Sequence, residues 1–162
     1  MILLTIGTQL PFDRLIKAVD AFSQTHDEPV FGQIGKTAKY QPANFEYCET
    51  MRPSEFEEKF RAARVIVSHA GIGTILSARK HGKPIVIVPR LARFGEHRND
   101  HQLATCAQLG QKPGIYVVDD PADIGTVLTL PELEPQIPAE TSPDRIKLLD
   151  GIRRFVHGER VA

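Results

Sequence analysis

Two glycine-bearing stretches carry the residues best suited to chemistry: Ile6-Gly7-Thr8-Gln9 near the start and His69-Ala70-Gly71-Ile72-Gly73-Thr74 in the middle. Each follows an apolar run and feeds a stretch with helical spacing. A strand-to-helix turn of this kind leaves backbone N–H groups unpaired at the positive end of a helix dipole. Gly71 and Gly73 let that backbone approach an anion with no Cβ in the way, so a diphosphate suits the turn. The same glycines also serve as plain tight turns, which is the commoner use of an isolated GxG. The pattern is neither GxGxxG nor a Walker A loop, so the usual markers of hydride transfer and ATP hydrolysis are absent. A third polar cluster is Asp100-His101-Gln102. Asp100 and Gln102 have the groups to hydrogen-bond vicinal sugar hydroxyls, although taken alone they are better explained by a helix cap at Asp100 and a solvated Gln102. His69 and His97 are the catalytic candidates, because imidazole titrates near neutrality. A structural role for His69 in its own turn has at least equal weight.

Strands alternating with helices would bring these stretches together. Met1 to Gly7 is an apolar run ending at glycine, and Leu15, Ile16, Val19 and Phe22 then recur at helical spacing. Further strands are expected at 30–34 and 45–48, joined by a polar loop. Ser54 and Glu57 fit a capping box for a helix whose apolar face is Phe56, Phe60 and Ala63. Val65-Ile66-Val67 leads into the second glycine turn, a helix through His81, a stop at Gly82 and the strand Ile85 to Val88. A helix over 99–109, a strand over 115–118 and a helix over 121–128 complete the pattern. It predicts an α/β fold, an open, Rossmann-like, mostly parallel sheet with ligands at the carboxyl ends of its strands. Residues 1–128 would form this domain. Pro131, Pro135, Pro138 and Pro143 mark 129–143 as a semi-extended connector crossing the surface. Residues 144–162 read as an amphipathic helix, with Ser142 as N-cap and Ile146, Leu149, Ile152 and Val156 on one face.

A length of 162 residues gives one domain at roughly 150 residues each. Hydrophobic residues at 41% and a mean hydropathy of -0.21 allow a real core. Twenty Lys and Arg balance twenty Asp and Glu, which excludes a global field for nucleic acid. No apolar run reaches the roughly 20 residues that cross a bilayer, and Met1 opens into a strand with no basic leader, so a cytoplasmic protein is expected. Cys48 and Cys106 lie far apart without CxxC or ligand-spaced histidines, which argues against a disulfide framework and a zinc site, and no metal is expected.

As a set, Gly7-Thr8, Phe12-Asp13-Arg14-Leu15-Ile16, Ser68 to Thr74, Gly82-Lys83-Pro84, Val88-Pro89 and His101-Gln102 match one family in order and spacing. They resemble the C-terminal, donor-binding domain of glycosyltransferase family 28 over about residues 1–128. Arg90, Phe94, Gly95, Glu96 and His97 add a likeness to its small one-domain members. Among these are the PssE-like subunits of bacterial polysaccharide assembly and the catalytic subunit of the dolichol-linked N-acetylglucosaminyltransferase pair. The resemblance implies one half of a GT-B enzyme that binds a UDP-sugar as substrate and uses no cofactor. The partners it implies are a membrane-anchored, acceptor-binding subunit, which would hold this chain at the inner face of the membrane, and a lipid-diphosphate-linked sugar acceptor. Exopolysaccharide or capsule assembly would be the setting.

Donor contacts would fall on Gly7, Thr8, His69, Gly71, Gly73, Thr74, Ser77, Asp100, His101 and Gln102. The diphosphate would lie on the 69–74 turn and the sugar at 100–102. Ser77 stands where many members place a ribose-binding Glu, which leaves the ribose one weaker hydrogen bond or another group. The expected chemistry is inverting, metal-independent hexosyl transfer, with the general base on His69, His97 or the partner. Arg90, Arg93, Arg98 and Lys83 would add positive charge around the sugar end, which suits an acidic donor such as UDP-glucuronate, although a solvated basic loop or a phospholipid-facing rim is the commoner use of such a cluster. The terminal helix, with its basic face and Phe155, would dock on the partner, touch the membrane or cover its own sheet. A non-catalytic accessory subunit that binds nucleotide-sugars is the competing function, and a UDP-sugar epimerase ranks behind both.

Overall fold

Short runs of aliphatic and β-branched residues build a sheet of six strands, all parallel. The strands are β1 (Ile2–Thr5), β2 (Val30–Gln33), β3 (Glu46–Cys48), β4 (Val65–His69), β5 (Ile85–Val88) and β6 (Ile115–Val117). The helices are α1 (Asp13–Thr25), α2 (Pro53–Ala62), α3 (Ile72–Lys80), α4 (His101–Leu109), α5 (Gly125–Leu128) and α6 (Pro143–Val156). This structure is a computed structural model, and it describes residues 1–138 and 143–156. Every residue of β1 and β5 is buried, as expected of parallel strands covered on both faces. The two-residue period of a strand divides the core. Ile2, Leu4 and Ile6 join Leu15, Ile16, Val19 and Ile124 on one face, while Leu3 joins Phe60, Ile66, Ile75, Ile85 and Cys106 on the other.

The strand order is β3-β2-β1-β4-β5-β6. The chain leaves β1 toward one edge and returns at β4 to build toward the other. The turns after β1 and β4 therefore lie side by side where the direction reverses, which is the place for a ligand in such sheets.

Local structure departs from expectation at several points. Helix α2 starts at Pro53 after Arg52 with no side-chain cap, so Ser54 and Glu57 form no capping box. Proline at the first helical position has its φ already set and no N–H to satisfy, which favours the start two residues earlier than a Ser54 cap would give. Glu57 instead meets Arg61, Lys80 and His81. The helix expected at 121–128 is a 3-10 turn (Pro121–Asp123) followed by α5. In the proline-rich stretch, Gln136 is buried and donates to the Lys83 carbonyl at 3.2 Å, while the Glu134 N–H donates to the Tyr116 hydroxyl at 2.7 Å. On α6, Ile146, Leu149 and Ile152 are exposed, so those side chains do not cover the sheet. The N-cap role of Ser142 and the segment 157–162 lie outside the described residues, as do the side chains of Phe155 and Val156.

The loop after β2 is held by carboxylates on α1. Buried Asp20 accepts from the Tyr40 hydroxyl at 2.6 Å, the Asn44 N–H at 2.8 Å and the Ala43 N–H at 3.0 Å. Two turns before it, Asp13 accepts from the Lys39 N–H at 3.0 Å.

Candidate functional site

The β1–α1 turn begins where Ile6 donates its N–H to the Gln33 carbonyl at 3.1 Å. Gly7 follows at φ +78°, a left-handed conformation that side chains rarely adopt. Three carbonyls of this turn are occupied by side chains. Arg90 Nη2 donates to Ile6 O at 2.8 Å and to Leu10 O at 2.6 Å, and Gln33 Nε2 donates to Gly7 O at 3.0 Å. The N–H groups of Gly7, Thr8, Gln9 and Leu10 have no acceptor among the described residues.

The β4–α3 turn presents a second such row. The Gly71 N–H closes on His69 O at 2.7 Å and the Ile75 N–H on Gly71 O at 3.3 Å. Between them the N–H groups of Ile72, Gly73 and Thr74 have no acceptor among the described residues, and no side chain caps α3. Consecutive N–H groups with their carbonyls turned away form an anion-binding concavity, and the dipole of α3 adds to it.

His69 links the two turns. A Cβ on Gly7 would stand 3.1 Å from its Cε1, and a Cβ on Gly71 would collide with its Nε2. Both glycines are therefore needed to make room for the ring, whereas a Cβ on Gly73 would meet nothing within 4 Å. The Ser68 hydroxyl donates to Thr5 O at 2.8 Å and sits 3.4 Å from His69 Nδ1. With its proton committed to Thr5, the hydroxyl accepts from Nδ1–H, which assigns the lone pair to Nε2. Burial, then the charges of Arg90 and His97, lower the His69 pKa to about 4, so the ring is neutral at physiological pH.

The remaining candidates separate. Thr74 is half-buried at the start of α3, and the Ser77 hydroxyl donates back to Gly73 O at 3.0 Å. Asp100 precedes α4 without capping it; its carboxylate accepts the Ala92 N–H at 2.7 Å. Gln102 is only 3% exposed, and its Oε1 accepts the Arg90 N–H at 3.0 Å. Its amide oxygen is thus engaged with the protein. His101 is exposed, bonded to Asn99 and edge-on to His97 with ring centres 4.4 Å apart. The basic cluster also divides. Arg93 and Arg98 are exposed, but Arg90 is 4% exposed. Lys83 precedes β5, at the amino edge of a parallel sheet, and donates to Arg61 O and Ala63 O. It lies away from the sugar end because strand direction puts it at the opposite edge.

Gln33, Arg14 and Glu96 were not among the expected site residues. Arg14 makes a fork onto Glu96 at 2.9 and 3.0 Å, and Glu96 also accepts the Leu91 N–H at 3.0 Å. A glutamine at the end of an otherwise apolar strand is the one sequence signal by which Gln33 could be found.

Residues 1–123 match the model of the glycosyltransferase family 28 C-terminal domain. The chain belongs to that family. A relative is the UDP-N-acetylglucosamine transferase subunit ALG13 of Yarrowia lipolytica, 25% identical over 162 residues, spanning 89% of this chain and 77% of that protein. Among solved structures, MurG of Acinetobacter baumannii matches with a TM-score of 0.57 at 20% identity, over 79% of this chain and 41% of that one. The glycotransferase of kitacinnamycin matches with a TM-score of 0.56 at 20% identity, over 94% of this chain and 38% of that one. These likenesses show the fold: this family 28 domain is Rossmann-like and corresponds to one half of a GT-B glycosyltransferase. It spans about two fifths of the length of either structure.

Proposed function

We propose that this chain is the donor-binding half of a two-subunit glycosyltransferase. It holds a UDP-sugar, and a membrane-anchored partner supplies a lipid-diphosphate-linked acceptor at the inner face of the membrane. The observation that carries this reading is the pair of free N–H rows, Gly7 to Leu10 and Ile72 to Thr74, set on either side of His69. A diphosphate saturates such donors, and the sheet reverses direction at that place. The relative from Yarrowia lipolytica, a UDP-N-acetylglucosamine transferase subunit, supports both the donor class and the need for a partner.

Transfer is inverting and metal-independent, and it needs no cofactor. The acceptor hydroxyl attacks the anomeric carbon in line, the bond to the diphosphate oxygen breaks, and the departing UDP carries the negative charge. The N–H groups stand fixed where that charge develops, which lowers the barrier without a nucleophile from the protein. The Thr8 and Thr74 hydroxyls add donors beside them, and the sugar, a hexose, lies toward Asp100 and His101. With its pKa held at about 4, His69 is a weak base and braces the turns, so proton removal falls to His97 or to a base of the partner. The exposed apolar stripe of α6 and its Arg153 and Arg154 suit docking on that partner. Exopolysaccharide or capsule assembly is the proposed setting.

Calorimetric titration of the folded chain with UDP tests the reading, since UDP should bind to this chain alone. Gly73→Val should keep the melting temperature, because the added atoms at Cβ meet nothing, and lose about tenfold or more in UDP affinity. Absence of UDP binding by the wild-type chain, with and without partner, would refute it. A partner that turns over donor at full rate alone would make this chain an accessory.

A further inference from the structure

Arg90 is the most deeply buried of the site's cations, and its surroundings are built around it. Its backbone N–H is fixed by Gln102, its Cζ lies 5.3 Å from the centre of the Phe12 ring, and the Glu96 carboxylate balances its charge. Glu96 is itself 7% exposed and pinned by Arg14 and the Leu91 N–H. Burial lowers the Arg90 pKa to about 10, so the guanidinium stays protonated at neutral pH. Burying such a pair is a poor route to stability, since apolar residues of the same volume do as well or better. The contacts made by Nη2 suggest another reason. They reach Ile6 O and Leu10 O, the carbonyls at the two ends of the turn whose N–H groups are free.

We propose that Arg90 is a positioning residue for donor binding: its guanidinium holds the Ile6 and Leu10 carbonyls inward, so that the N–H groups of residues 7–10 stay available to the diphosphate. A carbonyl that swung outward would present negative charge to an anion, and at Ile6 the Gly7 N–H of the same peptide would turn inward with it; the peptide after Leu10 leads into Pro11 and has no N–H, so there only the carbonyl matters. Gln33 does the same for the Gly7 carbonyl from the other side. The two hydrogens of the planar Nη2 serve both carbonyls in fixed directions, which an ammonium on a flexible stem holds less rigidly. Arg90 thus ties the turn after β1 to the strand end of β5, across 84 and 80 residues of sequence. This inference rests on reading the site as a diphosphate site.

The test compares Arg90→Met and Arg90→Lys with wild type in the full chain, by UDP titration, thermal melting and amide hydrogen exchange over residues 6–10. In the presence of partner, the KM for donor and for acceptor are measured separately. For folded Arg90→Met, UDP affinity should fall about tenfold, donor KM should rise in step, and exchange over 6–10 should accelerate. The acceptor KM should hold. Arg90→Lys keeps charge and bulk and should show the same changes more weakly. Wild-type UDP affinity in either folded variant overturns the proposal, and so does loss of folding in both, which would make Arg90 a folding residue. If Gly73→Val loses UDP while the Arg90 variants keep it, the diphosphate site stands without the clamp. If wild type binds no UDP, the diphosphate reading itself fails.

Discussion

At the scale of single residues, position in the turn decides what each glycine and histidine does. Gly71 and Gly73 are two residues apart in one motif, yet the first makes room for the His69 ring and the second opens onto free space. Gly73 is therefore the informative site for substitution, while a side chain at Gly71 disturbs the histidine as well. The depressed pKa of His69 has a consequence for stability. Between its ordinary value of 6.5 and its folded value of about 4, the unfolded chain binds a proton that the folded chain refuses. Stability contributed by the neutral ring is therefore full above pH 6.5 and is lost as pH falls toward 4, by about 3 kcal/mol at most. NMR titration should show a neutral His69 down to about pH 4. Urea melts should show the stability of His69→Gln declining less over that window, and equal declines would remove the assignment.

Among the elements, the loop between β2 and β3 owes its shape to α1. Burial alone would raise the Asp20 carboxyl, but hydrogen bonds from the Tyr40 hydroxyl and from Asn44 and Ala43 outweigh it and hold the pKa below the ordinary value. Asp20→Ala leaves two N–H groups and a phenol without their acceptor. It should lower unfolding stability by about 3 kcal/mol in urea melts and make residues 36–44 the first site of proteolysis. A loop that stays protected in this variant would show that the carboxylate is dispensable. The same dependence on distant partners explains why α2 lacks the box expected of it: Glu57 is drawn to Lys80 and His81, at the end of α3.

For the molecule as a whole, six parallel strands bury both faces of the central sheet, whereas α6 leaves Ile146, Leu149 and Ile152 in solvent. Replacing Leu149 and Ile152 by Asp should shift unfolding stability by less than about 0.5 kcal/mol for each change, because both side chains are exposed. If the helix docks on the partner, co-purification of the two chains should fail in the same variant while UDP still binds. A large drop in the melting temperature would show instead that α6 packs on its own domain.

The alternation of strands and helices, the turns after β1 and β4 and the placement of Gly7 and Gly73 followed from the sequence alone. Apolar periodicity and glycine act locally, within a few residues, and their physics is readable along the chain. The sequence could not tell that the Gln102 amide oxygen is engaged by the Arg90 N–H, that Lys83 sits at the opposite edge of the sheet, or that the buried Arg90 guanidinium meets the Ile6 and Leu10 carbonyls. Each of those depends on strand direction or on partners 12 to 84 residues away. Spacing does not encode which carbonyl a guanidinium will find; only the packed sheet brings the two together.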